Sequence, residues 1–142
     1  MAAEFNRLGF QFLYPENWTV DVEETTGWPR SVALHSPNGA MWSATADASD
    51  VETLRDRIVN AVSAEYEQVE QSPVTRMVGD LELAGIELNF YCLDFLVIAQ
   101  ILSCPSTDRP SVILLQAESR DFEAIGPVFD AISLSFLQHL LG

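Results

Sequence analysis

Phe10-Gln11-Phe12-Leu13-Tyr14-Pro15-Glu16-Asn17-Trp18 is the stretch around which this chain is organised. Phe10, Phe12 and Tyr14 alternate with Gln11 and Leu13, so three aromatic side chains leave one face at the period of two that a strand imposes. Pro15 offers no N–H to a ladder and holds Tyr14 extended, which ends the strand. Trp18, Val20 and Val22 then alternate with Thr19, Asp21 and Glu23, the pattern of a second strand with one wet face. The remaining chain is expected to cover this aromatic row.

Before that stretch, residues 1–8 read as a short arm, at most a turn of helix, carrying Phe5 and Leu8. After it, Thr25-Thr26-Gly27-Trp28-Pro29 is a loop by its glycine and proline. Segments 31–36 and 40–46 flank Pro37-Asn38-Gly39, and Asn-Gly between strands is a strong hairpin signal. Trp42 shares a face with Ala40 and Ala44, which leave room for an indole. Ser49-Asp50-Val51-Glu52 fits a capping box with Ser49 as the cap. The helix it opens carries Val51, Leu54, Ile58, Val62 and Tyr66 as one apolar stripe.

From Gln68 the pattern returns to strand. Pro73 places its strand at an edge or a bulge, and Gly79-Asp80 and Gly85 punctuate the next segment before Ile86–Cys92. Segments 95–102 and 112–117 are apolar at both parities and so belong at the centre of a sheet covered on both faces. They are joined by a turn-rich loop over 103–110, and Gln100 and Gln116 need partners inside that sheet. A final helix over 121–137 carries Phe122, Ile125, Phe129, Ile132 and Phe136. Proline belongs near a helix start, so Gly126-Pro127 implies a separate turn or a kink before the main run. These elements make one α+β domain over 1–142: an antiparallel sheet of about six to eight strands flanked by two main helices.

Bulk chemistry narrows the function classes. The 142 residues carry 21 acids against seven basic residues, a net charge of −14, and every basic residue is arginine. Phosphate binding needs clustered Lys and Arg, so nucleic acid is not an expected partner, nor is an anionic membrane. The acidic balance points to a basic protein partner or to solubility alone. The start of the chain has no apolar run behind a basic segment, and the longest uncharged apolar run, near 95–104, is too short to span a bilayer. Cys92 and Cys104 suit a reducing compartment as buried free thiols. A cytoplasmic location is the expectation.

Catalytic constellations are thin. The absence of lysine removes Schiff-base chemistry and a Walker-type phosphate lysine. His35 and His139 are the two histidines, without a nucleophile elbow, and Cys92 and Cys104 fall in apolar strands where thiols are inert. Asp47, Asp50 and Glu52 cluster at a helix start, where interaction with its dipole is a sufficient account; a weak divalent-cation site is the sharper alternative, although the calcium-loop spacing is absent. No catalytic residue, cofactor or metal ligand is therefore assigned. Surface recognition remains, with Trp28, Arg30, Leu137, Leu140 and Leu141 as candidate protein-interaction residues: an aromatic-Pro-Arg loop and a small apolar tail.

The order Phe10, Tyr14, Pro15, Trp18, then hairpin, helix, antiparallel strands and a terminal helix with Ser135-Phe136, resembles the PsbP/Mog superfamily over about residues 9–137. That resemblance implies an α-β-α sandwich and a role in binding other proteins, as in photosystem II subunits, a Ran-binding protein and secretion chaperones. It implies no shared enzyme activity and transfers no binding residue here. Lacking lysine and an export signal, the chain departs from the photosystem branch. The leading expectation is a non-catalytic adaptor or chaperone for a basic or hydrophobic protein segment, acting as monomer or homodimer. The alternative is a small-ligand or metal carrier with a pocket between helix and sheet, near Trp42 and His35. A hydrolase using the acids near Asp47 stands third.

Overall fold

The computed structural model describes residues 1–25, 27–105 and 108–142. Parts of the expected loops at 25–29 and 103–110, namely Thr26, Ser106 and Thr107, lie outside the described residues. The arm at residues 1–8 is a strand: β1 (Ala2–Arg7) pairs antiparallel with β2 (Phe10–Pro15). Phe5 decides this. It sits opposite Phe12 and stacks on it with ring centroids 5.2 Å apart. Leu8 and Gly9 close the turn with φ of 58° and 84°. Positive φ at both turn residues matches the twist of a tight hairpin.

β3 (Thr19–Val22), β4 (Arg30–His35) and β5 (Met41–Ala46) lead into α1 (Val51–Glu65). Then come β6 (Glu70–Val78), β7 (Leu81–Cys92), β8 (Phe95–Ser103) and β9 (Ser111–Glu118), and the chain closes with α2 (Ser119–Leu141). Seven strands form one antiparallel sheet in the order β3-β4-β5-β9-β8-β7-β6. β8 and β9 are central, as their double-faced apolar pattern requires, and β6 with Pro73 is an edge strand. β7 runs unbroken through Gly85, contrary to the reading of that glycine as punctuation. A Cβ at Gly85 would lie 2.0 Å from the Ile101 carbonyl oxygen, so the glycine permits close approach of β8.

The sheet separates two cores. On one face α2 and the β1–β2 hairpin bury Phe10, Phe12, Trp18, Trp42, Phe129 and Phe136. On the other, α1 buries Leu54 and Val59 against Leu88, Phe90, Ala99 and Ile101. The aromatic row of β2 is thus the centre of the larger core. Trp42 meets Phe12 at 4.9 Å and Phe136 at 5.8 Å, and its indole N–H donates to Ser133 Oγ at 2.9 Å. Ser135, one residue before Phe136, accepts the Leu13 backbone N–H at 2.8 Å and so ties β2 to the helix.

Two helix details differ from the sequence pattern. Asp50, not Ser49, caps α1: its carboxylate accepts Thr53 N–H at 2.9 Å and Thr53 Oγ1–H at 2.7 Å. A carboxylate is a stronger acceptor for an orphan N–H than a hydroxyl. In α2, Pro127 lies well inside one helix, not at a break. Its missing N–H leaves the Glu123 carbonyl without the usual helical donor. Burial of Phe122 before it and Phe129 after it holds both halves on the sheet. Arg76 adds a clamp, donating to Asp130 at 2.7 Å, to Gln100 at 3.2 Å and to the Gly126 carbonyl at 3.5 Å. Gln100, in turn, donates to Glu87 at 3.0 Å, which supplies the partners that a buried glutamine needs. By length and hydropathy α2 could also cross a bilayer, but here one face is core.

Candidate functional site

The residues singled out in the sequence scatter when folded. Trp28 is 46 % exposed, and the Arg30 guanidinium lies 4.4 Å from its ring centroid. Arg30 also donates to the Gly27 carbonyl at 3.2 Å and the Leu8 carbonyl at 3.4 Å, so it braces this loop against the first hairpin. Leu137 is not in a tail. α2 continues to Leu141, which places Leu137 fully in the core and Leu140 at its margin, and leaves only Leu141 of the three exposed. The first hairpin lies between them: Arg30 bonds the Leu8 carbonyl, and the adjacent Gly9 lines a small cleft with Leu140.

The acids near Asp47 are occupied. Asp47 accepts from Arg57 and from Ala48 N–H at 2.7 Å, while Ser49 Oγ accepts from Arg57 at 2.8 Å. Burial acts to raise the Asp47 carboxyl, but the Arg57 and Ala48 bonds outweigh it and hold it below the ordinary carboxylate range. That is the opposite of a poised general acid. Among the described residues no group of three or more His, Cys, Asp or Glu is placed to hold a metal ion.

His35 and Cys92 do not meet either. Burial pushes the Cys104 thiol up to about 12. His35 lies on β4 with β5, β9 and β8 between it and Cys92 on β7. Nor do His35 and Trp42 share a pocket. His35 pairs with Met41, so it faces the α1 side, whereas the neighbouring Trp42 faces α2 and is fully enclosed.

Among the described residues, two groups of neighbouring apolar side chains reach the surface besides Trp28 and Leu141. The first is the tip of the β7–β8 hairpin, where Leu93 and Asp94 connect the Cys92–Phe95 pair. Tyr91 is 66 % exposed, Leu93 89 %, Phe95 48 % and Leu96 37 %. From Val97 inward the same strand is buried or partly buried, so the tip extends to the margin of the cover that the two helices provide. Two clefts flank the tip. One contains Tyr66, Leu93, Phe95 and Glu118, and the other contains Glu70, Tyr91 and Leu96. Beneath them Tyr66, at the end of α1, stacks on Phe90 at 4.1 Å. Desolvation is the main reason the Tyr66 hydroxyl titrates above its ordinary range, with Cys92 adding to it.

Sequence pattern missed the tip because Tyr91, Phe95 and Leu96 continue strands that are buried elsewhere. Leu93-Asp94 also lacks the Asn-Gly or Gly signature of a tight turn. The available signal was length: two apolar strands meeting with two residues between them must form a hairpin, whose end reaches the margin of the helical cover.

The second feature is a groove of about 490 Å³ between α2 and the first hairpin, lined by Leu13, Tyr14, Pro15, Val128, Ala131 and Ile132 among others.

No protein-family model and no curated protein matches the sequence. Among solved structures the chain is similar to cyanobacterial PsbP (CyanoP) from Synechocystis sp. PCC 6803, with 16 % identity and a TM-score of 0.57 over 94 % of this chain and 90 % of that one. It is also similar to PA94, a Pseudomonas aeruginosa protein of unknown function, with 8 % identity and a TM-score of 0.51 over 94 % of both chains. At these identities the likeness speaks to fold alone, and on that level the resemblance drawn from Phe10, Tyr14, Pro15, Trp18 and Ser135-Phe136 holds: the chain has the PsbP-like α-β-α sandwich fold.

Proposed function

We propose that this chain is a non-catalytic protein-binding module, an adaptor or chaperone for a basic or hydrophobic protein segment. The observation that carries this reading is the group of four large apolar side chains, Tyr91, Leu93, Phe95 and Leu96, left uncovered at one hairpin tip. Tyr91 and Leu96 leave one face of the hairpin and Phe95 the other, with Leu93 at the turn between them. Burying a side chain of this kind contributes about 1.5–3 kcal/mol, so a partner that covers even the Leu93–Phe95 side of the tip gains a substantial driving force, and grouped exposed apolar side chains mark interaction sites more often than single exposed leucines do. The engagement of Asp47 and the inert Cys104 thiol are in keeping with a role that needs no reactive centre.

Site-specific photo-crosslinking tests it. A benzophenone side chain placed at position 93 in native host cells should yield discrete protein adducts, whereas one at the exposed Gln71 of β6 should not. Equal, diffuse labelling at both positions would refute the reading.

A second reading, a carrier of a small apolar ligand, is favoured by the groove beside α2. Its volume falls within the range of about 300–1,000 Å³ typical of ligand sites. Native mass spectrometry of protein purified from its host separates the two, since a carrier retains a stoichiometric small-molecule adduct.

A further inference from the structure

Leu93 occupies a backbone position that disfavours it. Its φ is 58°, in the left-handed region where a Cβ crowds the following carbonyl and where glycine or asparagine is the usual occupant. Leu8 adopts the same φ of 58° in the first hairpin, but its side chain packs on the larger core, which offsets the strain. Leu93 has no such return: it is 89 % exposed. A leucine that local energetics resist and that no packing rewards is explained by something outside the chain, because strain of this kind gathers at binding sites.

The charges around the tip indicate what that is. Glu70 lines the cleft beside Tyr91 and Leu96, Glu118 lines the cleft beside Leu93 and Phe95, and Asp94 sits in the turn. Glu65 and Glu67 flank Tyr66, which lines the second of these clefts. α1 ends here with no basic residue in its last turn, so the negative end of its dipole adds to the field. Arg120 lies 5.9 Å over the Phe95 ring, but it is paired with Glu118 at 3.0 Å.

Resting on the protein-binding reading above, we propose that the β7–β8 tip is the docking site and that its partner is a cationic amphipathic protein segment. An apolar side chain of that segment covers Leu93 and Phe95 while its Arg or Lys side chains face Asp94 in the turn, Glu65 beside Tyr66 and, in the cleft on the other side of the tip, Glu70. The apolar contact supplies affinity and the acid ring supplies selection and steering, which makes binding salt-sensitive.

Three twelve-residue fluorescent peptides of identical leucine and phenylalanine spacing test this by anisotropy, their polar positions filled with arginine, glutamate or glutamine. The full chain should bind the arginine peptide at least about tenfold more tightly than the glutamine peptide, and the glutamate peptide not at all. Leu93→Asn, which suits the left-handed backbone, should weaken arginine-peptide binding about tenfold or more while leaving or raising the urea midpoint. The charge reversal Glu65→Lys/Glu70→Lys should narrow the preference between arginine and glutamine peptides. Equal binding of arginine and glutamine peptides overturns the basic-partner inference and leaves the apolar docking reading intact. Arginine-peptide binding that survives Leu93→Asn reduces to general attraction by a chain of net charge −14 and overturns the site assignment. Binding of none of the three peptides overturns the inference, and joined to absent crosslinks at position 93 it overturns the reading beneath it.

Discussion

Gly85→Ala should be among the most damaging small substitutions available in this chain. The added Cβ would lie 2.0 Å from the Ile101 oxygen, 2.8 Å from the Ile101 carbonyl carbon and 2.9 Å from Leu102 Cα. Non-bonded carbons rest about 3.5–4.0 Å apart, so β8 must retreat from β7 by roughly 1 Å. β8 has little freedom to do so, because β9 is paired along its far side and both helices press on its faces. The ladder opens instead. Each buried backbone group that loses its partner costs about 1–3 kcal/mol, so two such groups give a loss of about 2–6 kcal/mol, centred on about 4. That central value is a large part of a typical domain stability of about 5–15 kcal/mol.

Urea unfolding followed by far-UV circular dichroism measures this directly. With a slope of about 2 kcal/mol/M, the midpoint should fall by about 2 M at unchanged slope. Gly39→Ala is the comparison, since Gly39 has φ of 94° but open space around its Cβ position. It should lose only the conformational term, about 1–2 kcal/mol. If Gly85→Ala shifts the midpoint by less than about 0.5 M, or less than Gly39→Ala does, the close-approach argument is wrong.

Two further outcomes follow from the core and from Asp47. Ser133→Ala removes the acceptor of the enclosed Trp42 indole N–H, which should lower stability by about 1–3 kcal/mol and Tm by several degrees; an unchanged Tm would show that the indole does not depend on that hydroxyl. Asp47 is held below its ordinary 3.8, so the stability it contributes is fully present above that pH and is lost as pH falls through its lower folded value. Asp47→Asn should therefore be less stable than the parent near neutrality, and the gap should close below about pH 4. Parallel pH profiles for the two proteins would remove Asp47 from the acid response.

Much of the architecture was legible because period and parity are local properties. The alternation of Phe10, Phe12 and Tyr14 named a buried face before any partner was known, and Pro73 marked an edge because proline cannot donate. The doubly apolar β8 and β9 declared themselves central. Where the reading failed, distant contacts prevailed over local preference. Phe5 turned an arm into β1 by stacking on Phe12, packing of Phe122 and Phe129 carried α2 through Pro127, and Asp50 outcompeted Ser49 for the cap.

The sequence by itself determined the sheet, its two covering helices, the acidity and the lack of lysine, since each follows from residue type and spacing. Only the tertiary structure decided which apolar residues stay uncovered. Leu137 and Leu93 are the same residue type, yet one is enclosed and the other stands in solvent. Exposure depends on where a strand reaches the margin of the helices above and below it, and that is a relation between distant segments rather than a property of either one.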